Sequence, residues 1–162
     1  MPVFEDVKPN FYIWEAVLSG ESVQNWSQMI TVTGFKDLAL NSKVNQEIIV
    51  ANIAGGFQKA CPNTFNAAKF ELNQLMPGNN FAAVLSCGTS NPTGPQYSET
   101  TLVIAMKGDK NYYTVQWAEK GTASPAKVSI DDAKWLNRLR MLNPIKLCPV
   151  IPDEKAPYLS CK

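Results

Sequence analysis

Ser124-Pro125-Ala126-Lys127 is the stretch whose residue types come nearest to a catalytic spacing, the S-x-x-K pattern in which a lysine activates a nucleophilic serine. No K-T-G element accompanies it, and 162 residues are too few for the folds that use it. The chain has no histidine, which excludes imidazole-based triads, histidine zinc sites and a histidine pH switch. Acidic neighbours occur at Asp131-Asp132 and Asp153-Glu154. Hydrolysis by two carboxyls needs them about 5–10 Å apart across the scissile bond, whereas adjacent acids ahead of a helix serve the helix dipole more simply. The glycine pairs form neither G-x-G-x-x-G nor a P-loop, so no nucleotide site has a motif behind it. No catalytic residue, metal or cofactor is expected.

Aromatic side chains offer binding chemistry instead, because they stack on sugars, bases or other rings. Of four tryptophans, Trp117 and Trp135 fall on apolar faces that read as core, leaving Trp14 and Trp26 as candidate surface aromatics. The irregular run from Gly88 to Tyr97, GTSNPTGPQY, is the loop in which a site would sit on a rigid scaffold, with Asn91 and Tyr97 as further candidate contacts. Its simpler role is a strand-to-strand connection. Asn25-Trp26-Ser27 matches a glycosylation sequon, for which a chance match is the simpler reading.

Cys61, Cys87, Cys148 and Cys161 lie among proline and turn residues, and an even count without a C-x-x-C pair suits two disulfides formed in an oxidising compartment. Four cysteines allow three pairings. A bridge between Cys148 and Cys161 would tie down a segment containing Pro149, Pro152 and Pro157 that cannot form regular structure, which favours 148–161 and, by remainder, 61–87. The expected location is then the periplasm or the exterior. The start, MPVFEDVKPN, lacks a basic n-region and an apolar h-region, so export implies a signal peptide already removed and Met1 an introduced start.

Fifteen basic residues against 14 acidic ones give a formal charge of +1, without a field to draw nucleic acid or an anionic membrane. Arg138 and Arg140 are the only arginines, which removes most bidentate phosphate recognition. No run of about 18 apolar residues spans a membrane. A protein partner and a monomeric state are the expectations.

The elements that must position these residues centre on Glu99 to Lys120, where two β-branched and aromatic runs flank the turn Lys107-Gly108-Asp109-Lys110-Asn111 and predict a hairpin. Period-two alternation puts Tyr113, Val115 and Trp117 on a core face and Tyr112 and Gln116 on the other. Asn66–Leu75 and Phe81–Cys87, separated by Met76–Asn80, predict a second hairpin, and Phe11–Val17 with Met29–Phe35 an N-terminal strand pair. Helical spacing from Asn41 to Cys61, capped by Asn41 or Ser42, predicts one helix, with a strand at Glu47–Ala51 as the competing reading. Gly55-Gly56 in its middle implies close packing on the sheet or a break. A second helix follows a Ser129 cap, with Trp135, Leu136, Leu139 and Leu142 inward and Arg138 and Arg140 pointing away. The prediction is therefore one α+β domain over residues 1–162: an antiparallel sheet of about six strands sandwiched by two main helices. Residues 1–10 are a loose terminus and residues 144–162 an irregular, disulfide-tied tail.

This order of strand, strand, helix, four-strand meander and helix resembles the PsbP-like fold. Gly20-Glu21-Ser22-Val23-Gln24-Asn25-Trp26 followed by Met29-Ile30-Thr31-Val32, with Ala60-Cys61-Pro62 and Tyr113-Thr114-Val115-Gln116-Trp117, is similar to a group of small exported proteobacterial proteins of unassigned function. The resemblance implies a non-enzymatic binding or accessory protein, among them secretion-system substrates, and carries over no catalytic residue. The alternatives are a small hydrolase using paired carboxylates and a toxin inhibitor or immunity protein inserting the Gly88–Tyr97 loop.

Overall fold

A computed structural model describes residues 1–70, 80–90, 94–155 and 158–161. Its strands are β1 (Pro2–Lys8), β2 (Phe11–Val17), β3 (Gln28–Phe35), β4 (Phe65–Phe70), β5 (Asn80–Ser90), β6 (Tyr97–Lys107) and β7 (Tyr112–Gly121). The helices are α1 (Gln46–Ala60) and α2 (Asp132–Leu142). The seven strands form one sheet in the order β1-β2-β3-β7-β6-β5-β4, every neighbouring pair antiparallel. The α+β class is as expected, with one strand more. That strand comes from the first ten residues, expected to be loose: β1 pairs with β2, and the Met1 ammonium donates to the Val17 carbonyl at 2.6 Å. Pro2 is tolerated because it opens an edge strand, and Glu5, Asp6 and Lys8 put charge along that edge.

The helices lie on opposite faces but cover only part of the sheet. Ile49 and Val50 of α1 pack with Ala83 and Leu85 of β5, Val103 and Ala105 of β6, and Tyr112. Trp135 and Leu139 of α2 pack with Phe70, Ala82, Val84, Leu102, Ile104 and Met106. Residues 101–106 of β6 are therefore all buried, because both faces of that strand are covered. Across the same rows the burial fades. Val103 is fully buried under α1, but its cross-strand series continues through Gln116, Thr31 and Glu15, which are half-buried. Gln116, Thr31 and Glu15 thus form a polar shelf on the α1 side, between the core around Tyr112 and a small apolar cluster of Val17, Met29 and Ala118.

Several local expectations are corrected. α1 is capped by Asn45, whose side chain accepts the Ile48 amide. Asn41 instead uses its side chain on the amide of Lys43, in the turn after Leu38–Leu40. Gly55 and Gly56 sit inside an unbroken helix, and a Cβ at either would meet nothing within 4 Å, so they serve neither a break nor a close approach. The cap of α2 is Asp131, accepting from the Lys134 amide at 3.0 Å, not Ser129. The second hairpin is present as β4 and β5, its turn at 71–79 lying outside the described residues. Trp117 shares its face with Val115 and Tyr113 as expected, yet it is half-buried; Tyr112 on the other face is fully buried, its hydroxyl donating to the Val44 carbonyl. The helix over Tyr112 outdid the one over Trp117.

Both expected cysteine pairs are at disulfide distance, Cys61 with Cys87 and Cys148 with Cys161, at Cα separations of 5.8 and 5.5 Å. The first joins the end of α1 to β5. The second closes the tail, which has no helix or strand among its described residues. Among the described residues no helix is long and apolar enough to cross a membrane.

Candidate functional site

Two of the four candidate binding residues converge. Trp26 stands on the connection before β3, and Tyr97 is the first residue of β6; their rings meet edge to face with centroids 6.2 Å apart. The ammonium of Lys120, on β7, lies 4.2 Å from the centroid of each ring. Lys120 pairs across the ladder with Glu99 of β6, whose other neighbour is Cys87 of β5. Period two puts Tyr97, Glu99 and Thr101 on one face of β6, the face that carries α1.

The placement of Trp26 comes from its connection. Glu21 accepts both the amide and the hydroxyl of Ser27, Ser22 donates its amide to the Asn25 carbonyl, and the Lys120 amide reaches the Ser27 carbonyl at 2.9 Å. The loop is clasped against β7, and the indole turns onto Val17, Met29 and Ala118. At the other edge of the site, Gly88 lets the 124–126 loop approach. A Cβ there would stand 2.3 Å from the Ala126 carbonyl oxygen and 2.7 Å from that of Ser124, while the Gly88 carbonyl takes the Ser124 amide.

Charge is distributed unevenly over this shelf. Burial pushes the Glu99 carboxyl above its ordinary value; the Thr101 hydroxyl and Lys120 pull it back, and the like charge of Glu15 adds to the rise. Burial draws the Lys120 amine down, opposed by Glu99 and Glu21. Burial, then Glu99, raises the Tyr97 phenol. One ammonium thus feels two carboxyls, Glu99 and Glu21, and it sits on the rings: among the described residues no carboxylate oxygen lies within 4 Å of its nitrogen. The arrangement suits recognition of a ring or a cation.

The remaining candidates are elsewhere. Trp14 of β2 is opposite Val32, in the row that runs through Val115 to Ile104 under α2, so it occupies the reverse face and is half-buried. Asn91 lies outside the described residues. Ser124 bonds within its own turn, to the carbonyl and amide of Ala126. Asp131 caps α2, and Glu154 accepts the amide and hydroxyl of Ser160 in the tail, bonds that lower its carboxyl. No group of three metal-ligating side chains occurs among the described residues. Sequence reasoning missed Lys120 and Glu99. Their signal was present in the hairpin register, which sets the two directly opposite each other once the turn is placed.

Arg138, expected to point away, lies across β7 on the reverse face. Its Nε donates to Glu119 at 2.6 Å, Lys134 pairs with the same carboxyl at 2.6 Å, and the guanidinium stands 5.0 Å from the Trp117 ring centroid. No protein-family model matches the chain, and no curated protein is similar to it in sequence.

Proposed function

We propose that the chain is a non-enzymatic exported binding or accessory protein, acting as a monomer in the periplasm or after secretion. Its partner, a protein, is engaged through the Trp26–Tyr97–Lys120–Glu99 shelf. One observation carries the reading: two aromatic side chains far apart in sequence are brought together on the half of the α1 face that no helix covers. In each acidic pair one carboxyl is already engaged, Asp131 in a helix cap and Glu154 in a tail turn. Two cysteine pairs with no free thiol agree with an oxidising compartment. The order of elements resembling the PsbP-like fold leans the same way.

The test pairs a binding array of peptides and glycans with a turnover screen on peptide, glycoside and ester substrates. Binding of peptides lost in Trp26→Ala and Tyr97→Ala but kept in Trp14→Ala is the expected result. Turnover of any substrate class, or binding insensitive to Trp26 and Tyr97, overturns it.

A further inference from the structure

We infer that Trp26 and Tyr97 form a receptor for an alkylammonium group, filled in the free protein by Lys120 of the same chain, and that a lysine side chain of the protein partner takes the place of Lys120. The inference rests on the binding reading above and names its chemistry.

Aromatic faces attract ammonium groups within about 6 Å of the ring centroid, and here a primary ammonium stands at 4.2 Å from two of them. The chain therefore already displays the contact a guest would make. Lys120 is held there weakly. Its nitrogen has no carboxylate oxygen within 4 Å among the described residues, and it ends a flexible four-carbon stem, so it can leave the rings without breaking an ion pair. The rings cannot leave so easily: the Glu21–Ser27 clasp fixes the Trp26 loop, and Tyr97 is part of the ladder, opposite Ser90.

Electrostatics favour a second cation over a neutral or anionic guest. Glu21 and Glu99 both act on the single ammonium, and Glu15 adds a like charge beside Glu99. An incoming lysine brings the charge this cluster lacks, while Lys120 swings toward the Glu15–Thr31–Gln116 row. Access is open, since Trp26, Tyr97, Glu99 and Lys120 are all half-buried and α1 packs over β5 and β6 instead.

The test is a titration of the whole chain with Nα-acetyl-lysine methylamide, its Nε-trimethyl derivative and tetramethylammonium chloride, with sodium chloride as ionic-strength control. The readout is the Trp26 indole resonance, assigned by Trp26→Phe. Saturable shifts are expected with the three ammonium probes and not with sodium. Lys120→Ala should tighten the lysine probes about tenfold, with Lys120→Gln as a second variant should the first fail to fold, and adding Tyr97→Ala should abolish the gain. An indole unmoved by every probe, an equal response to sodium, or no tightening on loss of Lys120 overturns the inference. If peptide binding on the array still depends on Trp26 while these titrations fail, the binding reading stands and only its ammonium chemistry falls.

Discussion

Glu119 and Lys120 are neighbours in β7 and face opposite sides of the sheet, and each belongs to a cluster made of the same parts: an acid, a cation and a tryptophan. On the α2 face the acid is Glu119, taken up directly by Lys134 and Arg138 at 2.6 Å, with Arg138 over Trp117 and the indole nitrogen donating to Gln28. Burial alone would raise the Glu119 carboxyl, but the bonds and charges of the two cations outweigh it and leave it lowered. On the α1 face the acid is Glu99, bonded to Thr101, while the cation rests on the rings of Trp26 and Tyr97. There burial wins and the carboxyl is raised. The first cluster is closed on itself and works as a clasp between helix and sheet. The second leaves its acid and its cation each short of the other, which is the condition for binding something else.

Trp117→Ala is the largest expected break. It removes a half-buried indole, its Gln28 bond and the surface under Arg138, at about 3 kcal/mol, the lower end for a tryptophan because the ring is not fully covered. Urea melts check it, and a midpoint shifted no more than that of Trp26→Ala would erase the contrast. Glu119→Ala comes next. The Glu119 side chain is only 12% exposed and both cations lose their acceptor, so a loss of about 2 kcal/mol is expected. The double-mutant cycle with Arg138→Ala should give a coupling of about 1 kcal/mol; none would reduce the clasp to a surface pair. Trp26→Ala should cost about 1 kcal/mol, since its half-buried ring packs on the small cluster of Val17, Met29 and Ala118. Its effect on binding should exceed its effect on stability.

How much of this was legible in the sequence differs between the two clusters. Period two placed Trp117, Val115 and Tyr113 on one face, and helical spacing placed Trp135 and Leu139 opposite them. Arg138 escaped because the α2 face was drawn from apolar residues alone, and a guanidinium that stacks on an indole belongs to that face despite its charge. On the other side, Trp26 and Tyr97 were singled out separately, Trp26 as an aromatic with no core assignment and Tyr97 as a residue of the Gly88–Tyr97 loop. Nothing in their spacing says they meet, because the meeting depends on β3 pairing with β7 across the sheet and on the Glu21–Ser27 clasp turning the indole. The β1 strand was missed for a related reason: a short, charged, proline-flanked segment pairs only because an edge is offered to it. The tail disulfide was legible because its proline-rich loop leaves the cysteines no other element to anchor.

The smallest effect discriminates best between the two clusters, and it is a difference of sign. A carboxyl lowered in the folded state, as Glu119 is, contributes stability that is present above the unfolded value near 4.5 and lost as the pH falls through the lowered one. A carboxyl raised in the folded state, as Glu99 is, works the other way: between 4.5 and the raised value the folded protein holds a proton the unfolded chain has released, so stability falls as the pH rises. Glu119→Gln should therefore be less stable than the parent at neutral pH, with the gap closing toward acid. Glu99→Gln keeps an oxygen to accept from Thr101 and sheds a charge that burial and Glu15 disfavour, so it should be more stable at neutral pH, with its advantage also closing toward acid. Urea melts of the three proteins from about pH 3 to about pH 8 would read both differences. A Glu99→Gln curve parallel to the parent, or below it at neutral pH, would mean that Glu99 is as well paired as Glu119. The open cluster would then be a second clasp, with no unmet charge left to recruit a partner.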